Sequence, residues 1–141
     1  MRQPIKVSVH PVRRATSGDW EYLLLRRVPS EGGFWQVVAG GVEDGEDLAE
    51  AARRELIEET GIVPLALERI DYSYSFLVDD EKITVYIFVA HVAARQEPEI
   101  SSEHDKYRWC QFDEALGLLY WPEDVEALKR CHKVVLAYGQ A

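Results

Sequence analysis

The segment from Gly40 to Ile62, GGVEDGEDLAEAARRELIEETGI, most constrains what this chain can form. It opens with glycines and acidic residues, then reaches Asp47, a residue type suited to cap a helix N-terminus. The body LAEAARRELIEET is made largely of strong helix formers. Gly61 stands where a helix closes on a left-handed residue, and Pro64 prevents resumption. A helix from Asp47 to Thr60 is therefore expected. Leu48, Ala52 and Leu56, widened by Ala49, give it an apolar stripe for the core, with its acidic cluster at the edge of that stripe.

The charges of this helix oppose its own electrostatics. Glu55, Glu58 and Glu59 stand at i, i+3 and i+4 and share one side, where like charges repel by roughly a few tenths of a kcal/mol per pair. Glu58 and Glu59 also occupy the last turn, where the macrodipole favours cations. A solvated acidic face would carry the same residues. Carboxylates crowded in this way also suit a hard divalent cation, and Mg2+ commonly bridges a few carboxylates to a substrate phosphate.

The rest of the segment decides between these readings. Gly40, Glu46, Arg54, Glu55, Leu56, Glu58, Glu59, Gly61 and Ile62 fit G-x5-E-x7-R-E-U-x-E-E-x-G-U at every fixed position, U being a bulky aliphatic residue. The segment resembles the Nudix box of MutT-like hydrolases, which act on nucleoside diphosphates linked to another moiety. That resemblance implies an α/β/α sandwich around a mixed β-sheet. It implies Mg2+ as cofactor, with Mn2+ able to substitute, held by Glu55, Glu58 and Glu59. It makes Glu58 the first choice for general base toward the attacking water, and Arg54 the residue that orients a metal-binding Glu, Glu58 in particular. Glu46 joins that network, and the peptide carbonyl of Ala39 supplies an oxygen ligand.

Outside the box, SEHDKYRW is similar to the E-H-x-x-Y-x-W stretch of one Nudix subgroup, in which the Glu, here Glu103, completes the metal site from a distant loop. His104 is read as structural or exposed rather than catalytic, and Tyr107 and Trp109 as core residues. In enzymes with a similar LxRR segment the first Arg contacts substrate, which favours Arg26 over Arg27, with Arg2 a weaker candidate. Trp35 is a candidate for stacking on a base, although aromatic residues in such stretches usually pack in the core. Together with FWQVVAGGVEDGE and WPEDVEALKR, these features resemble the dihydroneopterin triphosphate and dATP pyrophosphohydrolases. The implied reaction cleaves a nucleoside triphosphate, or a related triphosphate, to a monophosphate and pyrophosphate. Ala39 departs from that subgroup, which often carries a hydroxyl there. A dinucleoside polyphosphate hydrolase is the alternative, although its Pro-Lys-Gly lead-in is absent at Val38-Ala39-Gly40. A nucleotide-sensing module without turnover would usually have lost box carboxylates that this chain keeps.

Composition narrows the partners. A formal charge of −9 on 141 residues disfavours a nucleic-acid polymer. It does not exclude a small polyphosphate carried in by a divalent ion. No apolar run reaches the roughly 18 residues of a membrane helix, and the first residues carry no secretory pattern, so a cytoplasmic protein without a membrane partner is expected. Cys110 and Cys131 lack metal-ligand spacing and read as reduced buried thiols. The length implies a single domain spanning residues 1–141, and the family resemblance implies a monomer or homodimer. Strands are expected over 5–12, 20–28, 34–39, 65–77, 82–92 and 106–112. A turn at Asp79-Asp80, a short helix ending near Leu119 and a final helix over 123–138, with Pro122 in its first turn, complete the chain.

Overall fold

The computed structural model describes residues 4–138. In chain order these form β1 (Ile5–Arg14), β2 (Trp20–Arg27), β3 (Trp35–Gln36), β4 (Val38–Gly41), α1 (Leu48–Thr60), β5 (Ala66–Val78), β6 (Glu81–His91), β7 (His104–Cys110), α2 (Phe112–Leu118) and α3 (Pro122–Tyr138). Each expected element is present within a few residues. Asp79 and Asp80 adopt φ of 51° and 66° in the turn between β5 and β6, a conformation Asp tolerates.

The seven strands make one mixed sheet in the order β3-β2-β1-β6-β5, with β4 on β1 and β7 on β2. β1 runs parallel to β6 along one edge. Its other edge is divided, with Lys6–Val9 pairing with β4 and Val12–Arg14 pairing with β2, both antiparallel. The strands on that edge therefore part where β4 enters.

Both faces are covered. Val7, Val9, Leu23, Leu25 and Phe88 pack toward Ala51, Ala52 and Leu56 of α1. On the opposite face Tyr22, Leu24, Ile87 and Val89 pack with Ala115 of α2 and Ala127, Leu128 and Cys131 of α3. Strands covered on both sides need apolar residues at every position, which accounts for the unbroken Leu23-Leu24-Leu25 run. The architecture is an α/β/α sandwich.

Two details of α1 correct the sequence reading. Ala49 is exposed, and Ala51 is the buried neighbour that widens the stripe. The acidic cluster is not confined to the edge of the stripe, because Glu59 follows Ala52 and Leu56 onto the core side and is only 4% exposed. Tyr107, expected in the core, is 39% exposed, whereas Trp109 packs partly buried against the α1-side core. No helix among the described residues is long and apolar enough to cross a membrane.

Candidate active site

The site is organised by the two ends of α1. At its start the Asp47 carboxylate accepts from Glu50 N–H at 2.8 Å, and the Glu50 carboxylate accepts from Asp47 N–H at 3.4 Å. This reciprocal cap stabilises a helix by about 1 kcal/mol. At its end Gly61 adopts φ 70°, and its N–H donates to Ile57 C=O at 2.8 Å. Two carbonyls beyond that bond are satisfied from outside the helix. Ser101 N–H donates to Glu59 C=O at 3.1 Å and Glu99 N–H to Thr60 C=O at 2.7 Å. The β6–β7 loop is thereby docked on the acidic end of α1. Val28 N–H donates to Glu103 C=O at 3.1 Å, which joins the same loop to the end of β2.

These contacts bring Glu55, Glu58, Glu59, Glu103, Ala39, Gly40 and Arg27 around a cleft of about 460 Å³. Gly40 lies so close to Glu55 that an added Cβ would fall within the Glu55 carboxyl group. Glycine is required here by close approach rather than by backbone angle.

Arg54 braces the cleft from behind. Its Nε and Nη2 donate to the two Glu46 carboxylate oxygens at 2.7 and 3.0 Å, and Nη2 also reaches Gly41 C=O at 2.8 Å. Nη1 donates to Glu55 at 2.8 Å and to Glu58 at 3.3 Å. The glutamate it holds more closely is therefore Glu55, not Glu58. Hydrogen bonds donated to Glu46, then to Glu55, hold the guanidinium far above its ordinary ionisation range, while the Arg54 bond lowers the Glu46 pKa and favours its ionised form.

Glu59 has the opposite environment. Its Oε2 is buried without a hydrogen-bond partner among the described residues. Burial, then the hydrogen bond and charge of Glu55, then Glu103, push its carboxyl well above the usual range, with the Ala39 backbone opposing. Ligand atoms of Glu59, Glu103 and His104 lie within 4.8 Å of one another. An unpartnered carboxylate oxygen facing further carboxylates is a donor set that fits a hard divalent cation.

His104 reaches this cluster through an irregularity in the sheet. β2 and β7 pair Arg26 with Lys106 but Arg27 with His104, so Asp105 is passed over as a β-bulge. The extra residue re-aims the chain. His104 becomes buried near Glu59, at 4.0 Å from Nε2 to Oε1, while the Asp105 carboxylate accepts two hydrogen bonds from Arg26 at 2.9 and 2.6 Å. Burial, then the Arg27 charge, lower the His104 pKa and favour the neutral ring. Its Nε2 accepts from Gln36 Nε2 at 3.2 Å.

The expected substrate contacts are redistributed. Arg27, not Arg26, lines the cleft, because Arg27 shares strand parity with Leu23 and Leu25 on the α1 face whereas Arg26 is engaged by Asp105. Trp35 packs partly buried against the α3-side core, and its carbonyl accepts from Tyr120 N–H at 3.3 Å. Arg2 lies outside the described residues.

A second concavity was not apparent from the sequence. Tyr74, Phe76, Trp121, Glu123 and Asp124 line a cavity of about 300 Å³. An adjoining cavity of about 150 Å³ shares Tyr74, Phe76, Trp121 and Asp124 with it and is lined also by Gln36, Lys6 and Ala39, the last of which also stands on the wall of the acidic cleft. Asp124 is 7% exposed, and burial, followed by the Glu123 charge, pushes its carboxyl up to about 7. WPEDVEALKR was a visible pattern, but only the packing of α3 against Tyr74 and Phe76 reveals its acid as part of a cavity.

An α/β/α sandwich whose mid-chain helix ends in clustered carboxylates over a cleft has the donor set for chemistry assisted by a divalent cation. The family model for the NUDIX domain matches residues 4–131, and the chain belongs to the NUDIX domain family. It is 32% identical over 105 residues to the nucleoside triphosphatase NudI of Escherichia coli, covering 66% of this chain and 74% of that protein. It is 39% identical over 132 residues to an octanoyltransferase of Myxococcus xanthus, covering 90% of this chain but only 36% of that much longer protein. Among solved structures it is similar to a NUDIX hydrolase from Listeria monocytogenes, with a TM-score of 0.84, 27% identity and coverage of 96% of this chain and 97% of that one.

Proposed function

We propose that the protein is a Mg2+-dependent pyrophosphohydrolase of nucleoside triphosphates or closely related triphosphates. The observation that carries this reading is the adjacency of two unlike sites. A carboxylate-lined cleft with one arginine on its wall shares Ala39 with a small cavity that in turn shares Tyr74, Phe76, Trp121 and Asp124 with an aromatic cavity of about 300 Å³. The first suits phosphates accompanied by a cation, and the second suits the base.

Glu55, Glu59 and Glu103 would hold the cation, with Glu58 and the Ala39 carbonyl at the rim. The ion supplies Lewis-acid polarisation of phosphoryl oxygens and neutralises charge on the leaving group. Arg27 presents a guanidinium to phosphate oxygens. Arg54 holds Glu55 in place from behind the cleft. Glu58, 57% exposed at its side chain, has both the access to solvent and the freedom a base acting on water needs. Tyr74, Phe76 and Trp121 would flank the base, with Asp124 and Gln36 addressing its polar edge. Cys110 and Cys131, both free and buried, accord with a reducing compartment such as the cytoplasm.

A hydrolysis screen with Mg2+ present, across nucleoside triphosphates, dihydroneopterin triphosphate, dinucleoside polyphosphates and nucleotide sugars, tests the reading. Release of pyrophosphate and a monophosphate supports it. Formation of ATP from diadenosine tetraphosphate replaces it with a dinucleoside polyphosphate hydrolase, and no turnover of any compound replaces it with a sensor.

A further inference from the structure

The bulge at Asp105 has a product, the inward-turned ring of His104, which the hydrolysis itself does not use. This side chain is fully buried. Its Nε2 accepts from Gln36 at 3.2 Å, and the same edge stands 4.0 Å from Glu59 Oε1. Gln36 belongs to the wall of the aromatic cavity, and Glu59 to the acidic cleft. One ring therefore touches a residue of each site.

We propose that His104 is a positioning residue that couples the base-facing cavity to the cation-binding cleft, by fixing Gln36 and packing against Glu59 in one contact. This rests on the functional reading above. The argument is geometric. A buried imidazole has few rotamers available in close-packed surroundings. A shift of Gln36 on engaging a base must break its bond to Nε2 or move the ring, and a moved ring changes the space open to Glu59. Glu59 Oε2 has no hydrogen-bond partner among the described residues, so the carboxylate is oriented by its Glu55 and Ala39 contacts together with the ring beside Oε1. Groups that orient a metal-binding side chain in this way typically affect metal affinity by about 10- to 100-fold when removed.

The coupling is tested without substrate. Mn2+ affinity of the nucleotide-free protein is measured by paramagnetic resonance of the free ion for wild type, His104→Leu, His104→Gln, Gln36→Leu and the double variant Gln36→Leu/His104→Leu. The expected result is a loss of about 10-fold for His104→Leu, with most of the affinity retained in His104→Gln, whose amide keeps a polar edge for Gln36. Gln36→Leu, although remote from the carboxylates in function, should weaken Mn2+ binding several-fold when His104 is present and add nothing when it is absent. Unchanged Mn2+ affinity in Gln36→Leu, or losses that multiply in the double variant, would overturn the coupling. So would nitrogen hyperfine coupling to bound Mn2+ that vanishes in His104→Leu, which would make the ring a ligand instead.

Should His104→Leu fail to fold, Gln36→Leu and His104→Gln still decide the question. KM and kcat for a nucleoside triphosphate, against inorganic tripolyphosphate, add a second readout. His104→Leu should lower kcat for both compounds, and Gln36→Leu should raise KM for the nucleotide more than for tripolyphosphate. If no nucleotide is hydrolysed but the Mn2+ pattern holds, the functional reading fails and the coupling stands.

Discussion

The backbone N–H of Ser101 donates to the carbonyl of Glu59 at 3.1 Å, across a sequence separation that no local rule anticipates. With Glu99 on Thr60, this bond fastens the β6–β7 loop to the acidic end of α1 and delivers Glu103 beside Glu59. The candidate cation site is therefore assembled by a helix terminus that takes its missing donors from another segment.

Glu59 should govern both activity and the pH response of the metal-free protein. Its pKa in the folded chain is raised, so its contribution to stability is present below the ordinary carboxylate value of 4.5 and is lost as pH rises above it. Glu59→Gln should abolish turnover by orders of magnitude, raise Tm of the metal-free protein at neutral pH and remove part of the decline in Tm with increasing pH. Thermal melts with and without Mg2+ check this. Added Mg2+ should stabilise wild type and leave the variant unmoved. Near-full turnover by the variant would refute the metal assignment.

Gly40→Ala tests the close approach of β4 to α1. The new methyl would occupy the place of the Glu55 carboxyl group, so that side chain must swing away. We expect a loss of at least about 10-fold in kcat/KM, as for displaced metal-orienting groups, with a smaller change in Tm because a terminal carboxylate can yield. Steady-state kinetics and a melting curve measure the two effects.

Arg54→Lys separates charge from geometry. Lysine keeps the positive charge but cannot hold both Glu46 oxygens, Gly41 and Glu55 at once. The expected outcome is a fall of about 10- to 100-fold in activity and weaker Mn2+ binding. Activity equal to wild type would show that charge alone suffices behind the cleft.

The neighbouring arginines should differ. Arg27→Ala removes the cation on the cleft wall and should raise KM for a triphosphate, with or without a base attached. Arg26→Ala loses only its pair with Asp105, at a surface where such pairs contribute little, and should leave KM unchanged. Kinetics on a nucleotide and on tripolyphosphate distinguish the two variants.

Asp124→Asn should alter base preference through KM while sparing hydrolysis of tripolyphosphate. The folded carboxyl titrates at about 7, raised from 3.8, so its stabilising contribution falls away as pH climbs between those values. The Tm difference between variant and wild type should grow across that interval and level off above it.

Much of this molecule is legible in the sequence because its signals are local. Asp47 and Gly61 mark the ends of α1 through their own backbone chemistry, and period and turn residues place the strands. The carboxylates of the box announce themselves by repelling one another. What escapes is parity across both sheet faces. Leu23, Leu24 and Leu25 are all buried, so no alternation tells which face carries α1, and Arg26 and Arg27 cannot be ranked from sequence. The depth of Glu59 escapes for a related reason, since its place beside Leu56 matters only once the loop at Ser101 closes over it. Asp124 is hidden because its partners Tyr74 and Phe76 lie on a distant strand.

The unpaired residue at Asp105 makes β7 a counting device. Drawing it into regular pairing opposite Arg27 would turn Asp105 to the α1 face and His104 to the other, leaving Arg26 without its carboxylate and Glu59 without its ring. In this stretch of chain, the number of residues between Glu103 and Lys106 is a stricter requirement than the identity of any exposed one among them.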